Sequence, residues 1–212
     1  MNNNNSSQNS ENIDPELINQ IGNLNFEITF KQVPEMVPDL PEDVLFKMQE
    51  LYEKVQSDPE EAIPELIRLK EKYPEEPKFY NYLSTAYQLT GADEKADAVT
   101  EENYRKNPDY LFARMKYAMI CLSREEHGKI PEIFHEKYGL RELYPERNVF
   151  HITEFVNFYA VMGFYFKYIG KEEIARKYNM ILQGVAPGFD ISEDLEKELK
   201  PGLFRKLLKR FF

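Results

Sequence analysis

Residues 79 to 108, FYNYLSTAYQLTGADEKADAVTEENYRKNP, read as one helix, a tight turn and a second helix. Tyr80, Leu83 and Tyr87 recur at helical spacing, Gly91 stops the first helix, and Ala96 opens the apolar stripe of the next. Pro108 ends it. The same punctuation returns later, because Gly91 and Gly170, Ala96 and Ala175, and Pro108 and Pro187 all stand 79 positions apart. In the other direction the offset is 34, pairing Ala96 with Ala62 and Pro108 with Pro74. A 34-residue period is what a stack of helix-turn-helix units requires.

With aromatic, Leu, small residue, Tyr, Gly, Ala and Pro carried by Tyr80, Leu83, Ser84, Tyr87, Gly91, Ala96 and Pro108, the stretch resembles the tetratricopeptide (TPR) family. The later copy has Tyr159, Met162, Gly163, Phe166, Gly170, Ala175 and Pro187, with Met162 and Phe166 as conservative departures. The resemblance covers roughly two thirds of the chain. It implies an all-α fold, a TPR-like right-handed α-solenoid of about four helix-turn-helix repeats, whose use is binding and whose ligand is not named by the scaffold.

Composition agrees with a globular chain: 212 residues, 42% apolar and 30% charged. A formal charge of −10 opposes a nucleic-acid partner, since phosphate binding depends on clustered Lys and Arg. The single cysteine, Cys121, lies among Met119, Ile120 and Leu122 and reads as a small buried thiol. No basic stretch followed by an apolar core appears in the first thirty residues, so a reducing cytoplasm is the expected compartment.

Three regions are expected. Residues 1–40 open with the Asn- and Ser-rich MNNNNSSQNSEN, a composition that favours a disordered tail, followed by an extended arm and a linker marked by Pro34, Pro38 and Pro41. The alternation Asn25-Phe26-Glu27-Ile28-Thr29-Phe30 could be a strand, but a lone strand has no sheet to join in a helical chain, so an arm laid on the helices is favoured. Residues 41–189 hold the repeats. The first lacks a glycine at its turn, where Ser57 stands, and the third is irregular, with a second helix over Ile130 to Tyr138 and an eleven-residue insertion from Gly139 to Val149. The fourth begins with VFHITEFVNFYAVMGFYFKYIG, where His151, Glu154, Asn157 and Lys167 break any membrane span and leave a buried central helix. Residues 190–212 comprise a short acidic capping helix and PGLFRKLLKRFF, with four bases and no acid. On a helix the tail would gather Phe204, Leu207, Leu208 and Phe211 on one face and Arg205, Lys206, Lys209 and Arg210 on the other. Three uses fit that pattern: capping the array in cis, filling a partner's groove, or peripheral contact with an anionic membrane.

No motif carries chemistry. His127, His135 and His151 lack ligand spacing, there is no CxxC, P-loop, GxGxxG or GxSxG, and no cofactor is expected. Function is therefore expected on the concave face, where the TPR resemblance places Val44, Lys47, Leu51 and Lys54, then Lys78, Asn81, Thr85 and Gln88, then Phe112, Met115, Met119 and Leu122, and finally Asn157, Ala160, Phe164 and Lys167. Such a groove runs from polar and basic to apolar and Met-rich, which suits a protein or peptide with acids at one end and apolar anchors at the other. The family subset that clamps chaperone C-termini is disfavoured, because Leu51, Tyr82 and Phe112 replace its polar residues. The reading is a non-catalytic interaction scaffold or adaptor, with a TPR-type secretion chaperone and a peripheral membrane factor as alternatives.

Overall fold

The periodic apolar stripes become helices. The computed structural model describes residues 15–33 and 39–200, with α1 Pro15–Gly22, β1 Glu27–Thr29, α2 Glu42–Ser57, α3 Pro59–Lys72, α4 Pro77–Leu89, α5 Asp93–Lys106, α6 Leu111–Ser123, α7 Lys129–Ile133, α8 Leu140–Leu143, β2 Val149–His151, α9 Ile152–Tyr168, α10 Glu172–Val185 and α11 Asp190–Glu198. The fold is all-α apart from one short pair of strands. From α2 to α6 each helix packs on the next, and so do α9, α10 and α11; α2 also touches α4, α4 touches α6, α6 touches α9, and α9 touches α11.

Local conformations recur at the offsets read from the sequence. Gly91 and Gly170 are left-handed, with φ of 75° and 80°, and each closes a paired turn. The Gly91 and Ala92 N–H groups donate to Gln88 O and Tyr87 O at 3.0 and 2.8 Å; those of Gly170 and Lys171 donate to Lys167 O and Phe166 O at 3.1 and 2.8 Å. A third copy of this turn sits at Glu125, 34 positions after Gly91, with φ 59° and bonds from Glu125 and Glu126 to Leu122 O and Cys121 O. A side chain there crowds the following carbonyl oxygen, which glycine avoids. Glu125→Gly is therefore expected to stabilise the protein by about 0.5 to 1 kcal/mol, a rise of roughly 1 to 4 °C in Tm. An unchanged or lower Tm in a thermal melt would show that the turn is unstrained.

Helix ends repeat as well. Tyr73, Asn107, Tyr144 and Ala186 each precede a proline, and each donates its N–H to the carbonyl four residues back at 2.7 to 2.9 Å. Their φ values lie between −123° and −146° and ψ between 60° and 74°, because the following proline ring clashes with a helical residue before it. Asp58 alone joins α2 to α3, with its N–H bonded to Lys54 O and its carboxylate accepting from Glu61 N at 3.2 Å. This replaces the glycine that the first turn lacks. Ala62, Ala96 and Ala175 are all buried.

Three expectations about the fold need correction. The alternating stretch is a strand after all: β1 pairs in parallel with β2, Glu27 opposite Val149, Ile28 opposite Phe150 and Thr29 opposite His151. Its partner comes from the edge of the expected insertion. Ahead of it α1 packs on α10, Ile21 is buried, Tyr159 donates its hydroxyl to Ile21 O at 3.2 Å, and Phe26 meets Phe150 edge-on at 5.0 Å. Residues 15–33 thus belong to the core of the second half of the chain. The stretch from Gly139 to Val149 is likewise no separable insertion, since Leu140 is fully buried. The expected helix over Ile130 to Tyr138 is instead cut short at Ile133, the end of α7, and left-handed His135 and Glu136 follow it, with φ of 52° and 55°; α8 lies within the expected insertion. The Asn-rich start and residues 201–212, with the tail residues named above, lie outside the described residues.

The buried residues form two apolar clusters. One joins α2 to α5 through Leu51, Leu66, Tyr80 and Leu83; the other joins α6 to α11 and α1 through Phe134, Phe155, Tyr159, Phe166 and Tyr178. No described helix is long and apolar enough to cross a membrane.

Candidate functional site

The two clusters meet at a polar seam. On α4, Ser84 and Thr85 donate their hydroxyls to Asn81 O at 3.0 and 2.9 Å, and Asn81 Oδ1 accepts from Asn103 Nδ2 at 3.2 Å. Its own amide reaches the Tyr110 hydroxyl at 3.3 Å. Into this face α6 extends Lys116, whose Nζ donates to Ser84 Oγ at 2.9 Å, Thr85 Oγ1 at 3.1 Å and Asn81 O at 3.4 Å. All three acceptors are neutral. Among the described residues no carboxylate forms an ion pair with it, and burial alone pushes its pKa down to about 8.

Beside Lys116 lies a cleft of about 100 Å³ lined by Phe112, Met115, Lys116 and Met119 of α6, Asn157 and Val161 of α9, and Ile191 of α11. The α6 residues fall at i, i+3, i+4 and i+7, which places them on one helix face. Helix α11 supplies the third wall because Leu195 lies over Gly163: a Cβ on Gly163 would stand 2.4 Å from Leu195 Cδ2. The cleft is apolar with a single cation at its edge and, at about 100 Å³, has room for about one side chain, well below the size of an ordinary small-molecule pocket.

The expected groove residues divide three ways. Met115 and Met119 reach the cleft but are mostly buried, 3% and 6% exposed, so they form its floor and glutamates there would disturb the core. Asn81 and Thr85 face the seam and support Lys116; Gln88, one turn further along α4, has a buried Nε2 without a hydrogen-bond partner among the described residues. Lys47 is elsewhere, paired with Glu50 at 3.0 Å on a charged cleft of about 260 Å³ between α2 and α3, with Glu65, Arg68 and Lys72. Phe164 is corrected: it is a core residue, 1% exposed, because α6, α10 and α11 enclose α9. Lys167 pairs with Glu172 at 3.4 Å at the end of that helix.

Lys116, Ser84 and Ile191 were not among the expected residues. A lysine inside the apolar run Leu111-Phe112-Ala113-Arg114-Met115-Lys116-Tyr117-Ala118-Met119 was the available signal for Lys116. Two of the histidines have structural work. His151 Nδ1 accepts from Thr153 N at 3.3 Å and its Nε2 lies 3.3 Å from Phe30 O, which assigns the proton to Nε2; His127 stacks on Tyr168. Among the described residues no three His, Cys, Asp or Glu side chains gather as a metal site. No protein-family model matches this chain, and neither a curated protein nor a solved structure does.

Lys116→Met keeps most of the side chain's length and removes the desolvated charge. It is expected to raise stability at pH 7 by about 1 to 3 kcal/mol. The folded amine holds its proton less tightly than the unfolded one, so between pH 8 and 10 the unfolded chain binds more protons. Wild-type stability should therefore rise across that window. Above pH 10 the buried tyrosines act oppositely: Tyr82, for example, is pushed up to about 12 by burial. Urea melts at pH 7 and pH 10 should show the gap between wild type and Lys116→Met closing; a constant gap would mean that the amine is not desolvated.

Proposed function

We propose that the chain is a TPR-like right-handed α-solenoid working as a non-catalytic scaffold in the cytoplasm, holding a segment of another protein against the cleft between α6, α9 and α11. The cleft carries this reading: an apolar floor of Met115 and Met119, a half-buried aromatic wall at Phe112 and an unneutralised cation at one edge. The repeated turns at Gly91, Glu125 and Gly170 and the repeated pre-proline helix ends support the solenoid. Helices that touch both their neighbour and the next helix but one are what such stacking produces.

Thioether side chains adapt to different shapes, which suits a partner segment more than a rigid small molecule. A photo-reactive benzoylphenylalanine placed at Phe112 in the native cell should yield a covalent adduct with a partner protein, while the same probe at exposed Glu60 on α3 should not. Equal adducts at both positions, or none at Phe112, would reject the cleft as the binding surface.

A further inference from the structure

The two short strands treat their outer edges differently. Along a strand, the N–H and C=O of successive residues point to opposite edges. Glu27 donates its N–H to Asn148 O at 2.8 Å, towards β2, so with Ile28 opposite Phe150 the N–H and C=O of Ile28 point away from β2. On β2, two of the outward groups are closed by side chains: Arg147 Nη2 donates to Val149 O at 3.3 Å, and His151 N donates to Glu154 Oε2 at 3.0 Å. On β1 no such closure exists. Among the described residues no hydrogen bond reaches Ile28 N or O, although the residue is half-buried, where an unpaired backbone group costs free energy. Just beyond it Phe30 is 76% exposed. An open strand edge with an apolar side chain beside it is a template for another strand.

We propose that the open edge of β1 pairs with β1 of a second copy of the chain, antiparallel about a two-fold axis at Thr29, giving a four-stranded sheet in the order β2-β1-β1-β2. The stretch Glu27-Ile28-Thr29-Phe30-Lys31 is complementary to itself in that register. Thr29 faces Thr29 of the second copy, Ile28 faces Phe30, and Glu27 faces Lys31; β-branched with aromatic and acid with base are the pairings that stabilise neighbouring strands. Ile28 then exchanges both backbone hydrogen bonds with Phe30 of the second copy, which requires Phe30 to extend the strand by one residue. Charge decides for a second copy over a foreign strand. Glu27 and Lys31 are both exposed and, among the described residues, neither has an ion-pair partner, yet the two-fold gives each of them one. The contact is isologous and therefore closed, so it stops at two chains. A strand-sized interface implies a weak, concentration-dependent dimer. The inference stands apart from the cleft between α6, α9 and α11.

The test uses the full chain in sedimentation equilibrium, with two charge-reversed variants. Lys31→Glu and Glu27→Lys should each raise the dimer Kd about tenfold, because two opposed pairs become like-charged. Mixing the two variants should restore a heterodimer of wild-type affinity, since each then meets the opposite charge. Both side chains are exposed, so the melting temperatures should hold, which separates lost pairing from lost folding. In hydrogen exchange the Ile28 amide should slow as concentration rises, while those of Glu27 and Thr29, already bonded within the ladder, should not change. A chain that stays monomeric up to about 1 mM would overturn the proposal, as would a dimer indifferent to the charge reversals. An Ile28 amide equally protected at every dilution would overturn it in favour of another segment of the same chain on the edge. A photo-reactive benzoylphenylalanine at Phe30 that captures a different protein, and not the chain itself, would overturn it in favour of a foreign strand.

Discussion

Replacing Glu154 with alanine should lower stability by about 3 to 5 kcal/mol, since it removes the buried carboxylate that binds both terminal nitrogens of the largely enclosed Arg147 guanidinium. The Glu154 carboxylate accepts both terminal nitrogens of Arg147, at 3.0 and 2.8 Å, and the backbone N–H of His151 at 3.0 Å. It is 3% exposed. The guanidinium in turn lies 4.3 Å from the Phe150 ring centre, so one ion pair holds together the turn before β2, the strand itself and the first turn of α9. The His151 side chain and Glu154 cap that helix reciprocally. For a chain of this size the loss corresponds to roughly 6 to 20 °C in Tm. The double variant Arg147→Met with Glu154→Leu should recover most of it, because the pair is then exchanged for apolar volume instead of being halved. If Glu154→Ala melts within about 2 °C of wild type, the pair is solvated and the capping account fails.

Phe155→Ala should cost a similar 3 to 5 kcal/mol, about what the loss of a buried aromatic ring with its cavity entails. Phe155 is fully buried, stacks on Tyr159 with ring centres 4.4 Å apart and meets Phe26 at 6.4 Å. The cavity would open beneath residues 15–33, so the damage should be uneven. Hydrogen exchange at Glu27 to Thr29 should accelerate far more than at α3 or α4, which belong to the other apolar cluster. Uniform acceleration across both clusters would show that the two halves open together.

The legible parts of the chain were those where a residue type admits one backbone. Gly91 and Gly170 announce left-handed turns and Pro74, Pro108 and Pro187 announce helix ends, because few alternatives are compatible with those residues. Glu125 holds the same turn without announcing it: glutamate has no preference for a positive φ, and the surrounding helices impose it. The strand at Glu27 to Thr29 has no partner near it in sequence; its partner stands at Val149 to His151, where no local pattern points back. At the candidate site, family positions led to Met115 and Met119 but stepped over Lys116 between them. Phe164 is a core residue, 1% exposed, because α9 is packed by α6, α10 and α11, and a period within α9 cannot report how many neighbours enclose it.

The parallel pairing of β1 with β2 orders events in time. About 120 residues separate the two strands, so at 5 to 20 residues per second the earliest described part of the chain waits roughly 6 to 24 s during synthesis for its partner to emerge. Through that interval Phe26 and Ile28 stand in water, and the pair α2 to α5 can mature without them. The return of residues 15–33 onto the later half of the chain is then expected to be a late step of maturation. Pairing over that length is slower than contact between neighbouring helices, so docking of residues 15–33 is expected to come late in refolding as well.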